Sequence, residues 1–92
     1  AALRGQIMRA AMSVPTNIVE GRGQTSPKEF SRFLRIALNS SSELEYHLIV
    51  ARDIGAIDQK AFNSTLDQVL AVRMMLHGLL KSLASESTRP AG

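Results

Sequence analysis

An all-α, antiparallel up-down helix bundle is the fold class predicted for this 92-residue chain, on three observations. Apolar residues recur at helical spacing through three segments. The ends of those segments carry helix start and stop signals. No stretch alternates apolar and polar residues with the period of two that a half-buried strand requires. The spacing predicts helices over about 3–19, 27–53 and 59–85 within a single domain spanning 1–92.

The first segment places Leu3, Ile7, Ala10, Ala11, Val14 and Ile18 on one face. Pro15 interrupts it. A proline there removes one intrahelical hydrogen bond and crowds the Ala11 carbonyl, which predicts a kink or break near Val14. Gly21 and Gly23 then let the helix stop and the chain reverse. The second segment opens on Ser26-Pro27-Lys28-Glu29. The serine hydroxyl caps a free N–H, proline supplies its fixed φ at the first helical position, and Glu29 can reach back to Ser26. Phe30, Phe33, Leu34, Ala37, Ser41, Leu44, Leu48 and Ala51 share one face, and Gly55 marks the stop. Asp58 caps the third segment, whose core face carries Phe62, Leu66, Val69, Val72, Leu76, Leu79, Leu80 and Leu83. The short connection around Gly55 forces the second and third helices antiparallel. The tail from Glu86 to Gly92 is polar and small, with nothing to bury, and should fray.

Composition narrows the function classes. With no cysteine, a disulfide framework and thiolate metal sites are excluded, which fits a reducing, cytoplasmic setting. No apolar run approaches the roughly 18 residues of a membrane span. A domain this short buries a modest core, so assembly with other copies is expected. Several apolar residues fall outside the core stripes: Met8, Met12 and Val19 on the first helix, and Leu70, Ala71, Met74 and Met75 around Gly78 on the third. Scattered surface hydrophobes are one reading. The other is an interface, at which Gly78 allows close backbone approach.

The net charge of +3 favours an anionic partner only if the cations are grouped. Lys28, Arg32 and Arg35 fall in a narrow sector of the second helix, and Arg22 lies in the preceding loop, so four cations are expected to converge at one end. They read either as a solvated face with local pairs such as Glu29 with Arg32, or as a phosphate-backbone contact without base readout, because only Tyr46 remains outside as a stacking aromatic. Asn17 and Glu20 read as structural groups, capping the backbone around Gly21 and pairing with Arg9 or across the bundle. Arg73 interrupts the third core stripe and is expected to meet Glu45 or an acid of a neighbouring subunit, setting register.

Catalytic machinery is not legible. Glu20 has no acid, base or nucleophile spaced to assist it. Glu43 and His47 share a face and His77 lies on the third helix, but the repeated Glu-x-x-His elements of a di-iron bundle are missing, so no metal and no cofactor are expected. The remaining rival is a protein adaptor working through Met8, Met12, Met74 and Met75.

The stretch from Gln6 to Leu48, with RAAMSVPTNIVEG, the loop GRGQTSPKEF and RFLRIALNSSSELEYHL, resembles the bacterial four-helix-bundle proteins encoded by intervening sequences in 23S ribosomal RNA genes. That family resembles in turn the accessory protein of diversity-generating retroelements, a basic pentamer that works with a reverse transcriptase and binds nucleic acid. The resemblance implies a four-helix bundle, a homo-oligomer of pentameric type, and structured RNA, DNA or a reverse transcriptase as partners. Two positions depart from the pattern: Gln24 stands where the family commonly has arginine, and Asn39 where a glycine usually precedes the serine, here Ser40. Family members usually carry a further amphipathic helix upstream. The three helices seen here would then be the last three of four, with a groove left beside Leu3, Ile7 and the third helix.

Overall fold

A computed structural model describes residues 2–87, and the positions of the predicted tail beyond Ser87 lie outside it. Three helices follow one another: α1 (Ala2–Arg22), α2 (Pro27–Asp53) and α3 (Gln59–Ser87), with no strand among the described residues. Glu86 and Ser87 are helical, so α3 runs slightly past its expected end.

Local chemistry sets the boundaries of α2 and α3. The Ser26 hydroxyl accepts from the Glu29 N–H at 3.1 Å, with Pro27 opening the first turn. The reciprocal half of a capping box is absent, because the Glu29 carboxylate accepts instead from Arg32. At the other end Gly55 takes φ 78°, the positive value that favours glycine, and donates to the Arg52 carbonyl at 3.0 Å while Ala56 donates to the Ala51 carbonyl at 2.8 Å. These two bonds close a Schellman turn over carbonyls that would otherwise lack donors. Asp58 then starts α3, its Oδ1 accepting from the Ala61 N–H at 2.7 Å.

Two expectations for α1 are corrected. Pro15 lies inside a continuous helix, so of the expected kink or break near Val14 the break does not occur. One lost hydrogen bond is outweighed because Ala10 and Val14 stay buried against α2 and α3, while the exposed proline ring needs no packing partner. Gly21 does not end the helix through an unusual φ either. It is buried, and a Cβ placed on it would come within 2.8 Å of Phe30 Cδ1 and 2.9 Å of Phe33 Cβ. It is a site where α1 and α2 approach closely.

Pairings along the helices show antiparallel packing. Gly21 meets Phe30 and Phe33, Ser13 meets Ser40, and Ala10 packs with Leu44 and Leu48. Between α2 and α3, Leu34 packs with Leu76, Ser41 meets Arg73, and Arg52 lies over the Phe62 ring. Both α1 and α3 pack along α2, but no Cα of one comes within 8 Å of the other. The molecule is accordingly a flattened slab of 57 × 21 × 14 Å, with α2 as its middle helix.

That arrangement leaves an apolar groove between α1 and α3. Ala11, Val14 and Pro15 form one wall, Thr65, Gln68, Val69 and Val72 the other, and Ser41 and Leu44 of α2 the floor, enclosing about 280 Å³. A second hollow of about 400 Å³ lies against Leu3, Ile7, Met8, Ile54 and Ile57, at the end of the molecule where α2 turns into α3.

Candidate nucleic-acid interface

Hydrogen bonds on both sides of α2 hold it in place. On the α1 side, Asn17 Nδ2 donates to Ser13 Oγ at 3.0 Å and to the Ser13 carbonyl at 2.8 Å. Ser13 Oγ lies 2.7 Å from Ser40 Oγ, and Ser40 Oγ donates to the Ile36 carbonyl at 3.0 Å. Each hydroxyl has one proton, so the order is forced: Asn17 to Ser13, Ser13 to Ser40, Ser40 to Ile36. Asn17 therefore orients Ser13, the residue that ties α1 to α2, rather than capping the turn at Gly21. Glu20 is exposed; its backbone carbonyl accepts from Gln24 Nε2 and the Gly23 N–H, and its carboxylate does not pair with Arg9.

On the α3 side, Arg73 Nη2 reaches Glu45 Oε1 at 3.0 Å and the Ser41 carbonyl at 3.3 Å, and Nε donates to Ser41 Oγ. The side chains of Arg73 and Glu45 are 23% and 33% exposed. The Glu45 carboxylate and the Ser41 carbonyl replace water that the guanidinium loses beside an apolar seam. Ser40 and Ser41, adjacent in sequence, thus point one to each neighbouring helix.

With α2 fixed, its outward face presents Lys28, Glu29, Arg32, Arg35, Ile36 and Asn39 around a shallow depression of about 370 Å³. Lys28, Arg32 and Arg35 are all exposed. Their spacings of four and three residues place them on one line over a rise of about 10 Å. Arg32 Nε donates to Glu29 Oε2 at 3.1 Å, and its guanidinium carbon lies 4.5 Å from the centroid of the Phe33 ring. Lys28 and Arg35 have no ion-pair partner among the described residues. Farther along the same line come Glu43, the exposed Tyr46 and Asp53. The face therefore changes from cationic to anionic along α2.

Arg22 is exposed and is not among the residues that line the depression. It closes α1 seven residues after Pro15, and two helical turns return it to nearly the same side as that groove-wall proline. The depression is completed instead by Ile36 and Asn39. Their signal in the sequence was the repeat of four and three residues that already joins Lys28, Arg32 and Arg35.

Met8, Met12, Leu70, Met74 and Met75 are 53%, 63%, 40%, 76% and 51% exposed, and they do not form one surface. Met8, Met12 and Val19 follow the groove-side edge of α1, and Met75 shares the side of α3 that carries Gln68 and Val72. Leu70 and Met74 face the other flank of α3. A Cβ on Gly78 would meet nothing within 4 Å among the described residues, so no close approach to them occurs there. His47 is half-buried and His77 exposed, and among the described residues no three His, Asp or Glu side chains gather as metal ligands. None of the described helices is long and apolar enough to cross a membrane.

Fold and surface together define a small all-α protein of packed antiparallel helices, with a cationic face on its middle helix and an apolar groove behind it. The chain belongs to the 23S rRNA-intervening sequence proteins, whose family profile matches residues 1–78. It is also similar to a crystal structure of a protein with unknown function from the S23 ribosomal protein family of Bacteroides thetaiotaomicron. The two share 26% identity and a TM-score of 0.86 over 88% of this chain and 75% of that one. No similar chain is found among curated proteins.

Proposed function

We propose that this protein is a non-enzymatic helical scaffold that assembles from several copies and holds nucleic acid, structured RNA first among the candidates, by its phosphate backbone. The observation that carries the proposal is the exposed line of Lys28, Arg32 and Arg35 on one face of α2. Phosphate contact requires cations that are grouped and reachable, and gains affinity from the counterions they release. Base-specific reading has no support, because Phe30 and Phe33 are half-buried and Tyr46 is the exposed aromatic of the face. The family description, which names an insertion in a ribosomal RNA gene, makes RNA the first ligand to test.

Assembly is supported by the exposed methionines on both edges of the groove and on the far flank of α3. The same residues favour a second reading, a protein adaptor, of which a reverse-transcriptase partner is one form. Methionine surfaces repack readily against different partners.

Fluorescence anisotropy with a structured ribosomal RNA fragment and a DNA duplex across a salt series tests the proposal. Three phosphate contacts per chain predict a slope of log K against log salt of about −2.7 on the duplex, and a steeper one if several chains engage together. Replacing Lys28, Arg32 and Arg35 together by alanine should abolish binding, whereas Arg22→Ala should change it little. No binding by wild type at low salt would redirect the search to a protein partner.

A further inference from the structure

We infer that Arg32 is the residue that orients a phosphate on this face, and that Glu29 and Phe33 are positioning residues that hold its guanidinium for that purpose. The inference rests on the nucleic-acid reading above and adds a geometry to it. Three cations share the depression, but only one is held in place. Arg32 Nε is engaged by Glu29 at 3.1 Å, and the guanidinium lies over the Phe33 ring at 4.5 Å. One contact fixes an edge of the planar group and the other fixes its plane. The two Nη atoms remain without a partner among the described residues, on a side chain that is 57% exposed.

A guanidinium held by Nε presents its two terminal nitrogens as a fork, which matches two oxygens of a phosphodiester. An exposed ion pair adds little to stability, so the arrangement is better understood through what it orients than through what it stabilises. The seat is built from the core outward. Gly21 lacks the Cβ that would strike Phe33, so the phenylalanine can lie against α1 with its ring beneath Arg32.

Lys28 and Arg35 flank the fork and bring the local charge to +2 after Glu29 is counted. This surplus suits a chain of phosphates better than a single carboxylate. The direction of that chain follows from the rest of the helix. Glu43 stands about 12 Å beyond Arg35 along the axis and Asp53 lies farther on, both on the same line. A polyanion running along α2 would meet both acids, so it crosses the helix at Arg32.

The test is anisotropy with the same RNA fragment, comparing Arg32→Lys, Arg35→Lys and Lys28→Arg, each of which preserves charge. Arg32→Lys should weaken binding about fivefold, the scale for losing one pre-ordered side chain, with the salt slope unchanged. The other two should stay within about twofold of wild type. Phe33→Leu, which alters no charge, should reproduce the loss. Equal behaviour of Arg32→Lys and Arg35→Lys in a wild type that does bind overturns the inference and leaves phosphate binding standing. Absence of binding by wild type overturns both.

Discussion

Replacing each of two helical glycines by alanine should move stability in opposite directions. Alanine is favoured over glycine inside a helix by about 1 kcal/mol. At Gly78 nothing lies within 4 Å of the added Cβ, so Gly78→Ala should stabilise by about that amount. At Gly21 the same methyl would sit 2.8 Å from Phe30 Cδ1 and 2.9 Å from Phe33 Cβ. The Phe30 ring edge can rotate aside. The Phe33 Cβ cannot move without moving α2, and overpacking of this kind costs about 1–3 kcal/mol. The propensity gain is reduced at the last turn of α1, so the clash wins and Gly21→Ala should lose about 1 kcal/mol net. The two variants should differ by about 2 kcal/mol, or roughly 8–16 °C in Tm for a domain of this size. Urea unfolding followed by circular dichroism at matched protein concentration reads the difference, since assembly would couple to unfolding. If both substitutions shift the midpoint the same way, the close approach of α1 and α2 at Gly21 is wrong. A Gly78→Ala protein that folds more stably but assembles less would place Gly78 at a contact between copies.

Asp58→Ala should cost about 1 kcal/mol in the same assay, because its carboxylate caps the Ala61 N–H, and a lowered far-UV signal at the start of α3 would accompany it. Arg73→Ala should cost about 1–3 kcal/mol by leaving the half-buried Glu45 carboxylate unpaired; a cost near zero would show that the link between α2 and α3 carries no weight. Met8→Lys with Met12→Lys should leave the unfolding midpoint within about 0.5 kcal/mol and reduce the mass measured by light scattering, since both side chains are more than half exposed in the single chain. An unchanged mass would remove these residues from the contact surface.

What could be read from the sequence was whatever depends on neighbours within a few residues. Ser26-Pro27, Gly55 and Asp58 mark helix ends through hydrogen bonds three to five residues long, and α2 accordingly spans the predicted range. Lys28, Arg32 and Arg35 share a face by periodicity alone, which the structure reproduces. The readings that failed needed a partner far along the chain. Gly21 looked like a turn glycine because its contact with Phe30 and Phe33 belongs to the packing of two helices. Pro15 reads as a kink or break, and the helix is nonetheless unbroken because the burial of Ala10 and Val14, both before it, is a tertiary effect. Arg22 is grouped with the α2 cations by nearness in sequence, but it ends α1 and is not among the residues that line the depression. The bond from Ser13 to Ser40 spans 27 residues, and the available hint was a run of serines inside a helix, where serine is a poor helix former unless it has a local role.

The cationic face and the groove stand on opposite sides of α2, and this separates two demands on one small chain. Ser41 and Leu44 point inward to the groove floor, whereas Arg35 and Asn39 border the outer depression. A protein surface that fills the groove, from another copy or from a different partner, therefore need not cover the three cations. Closure of the groove would instead hold α1 and α3 against α2, reinforcing the Ser13–Ser40 and Arg73–Ser41 links that fix the helix carrying those cations. Assembly and phosphate binding are then compatible, and each further copy adds another cationic face. Under the proposed function, three cations per face predict weak affinity from a single chain at physiological salt, and useful binding would come from several faces on one nucleic acid. The salt slope of the assembled protein relative to that of a dissociated variant measures how many faces take part.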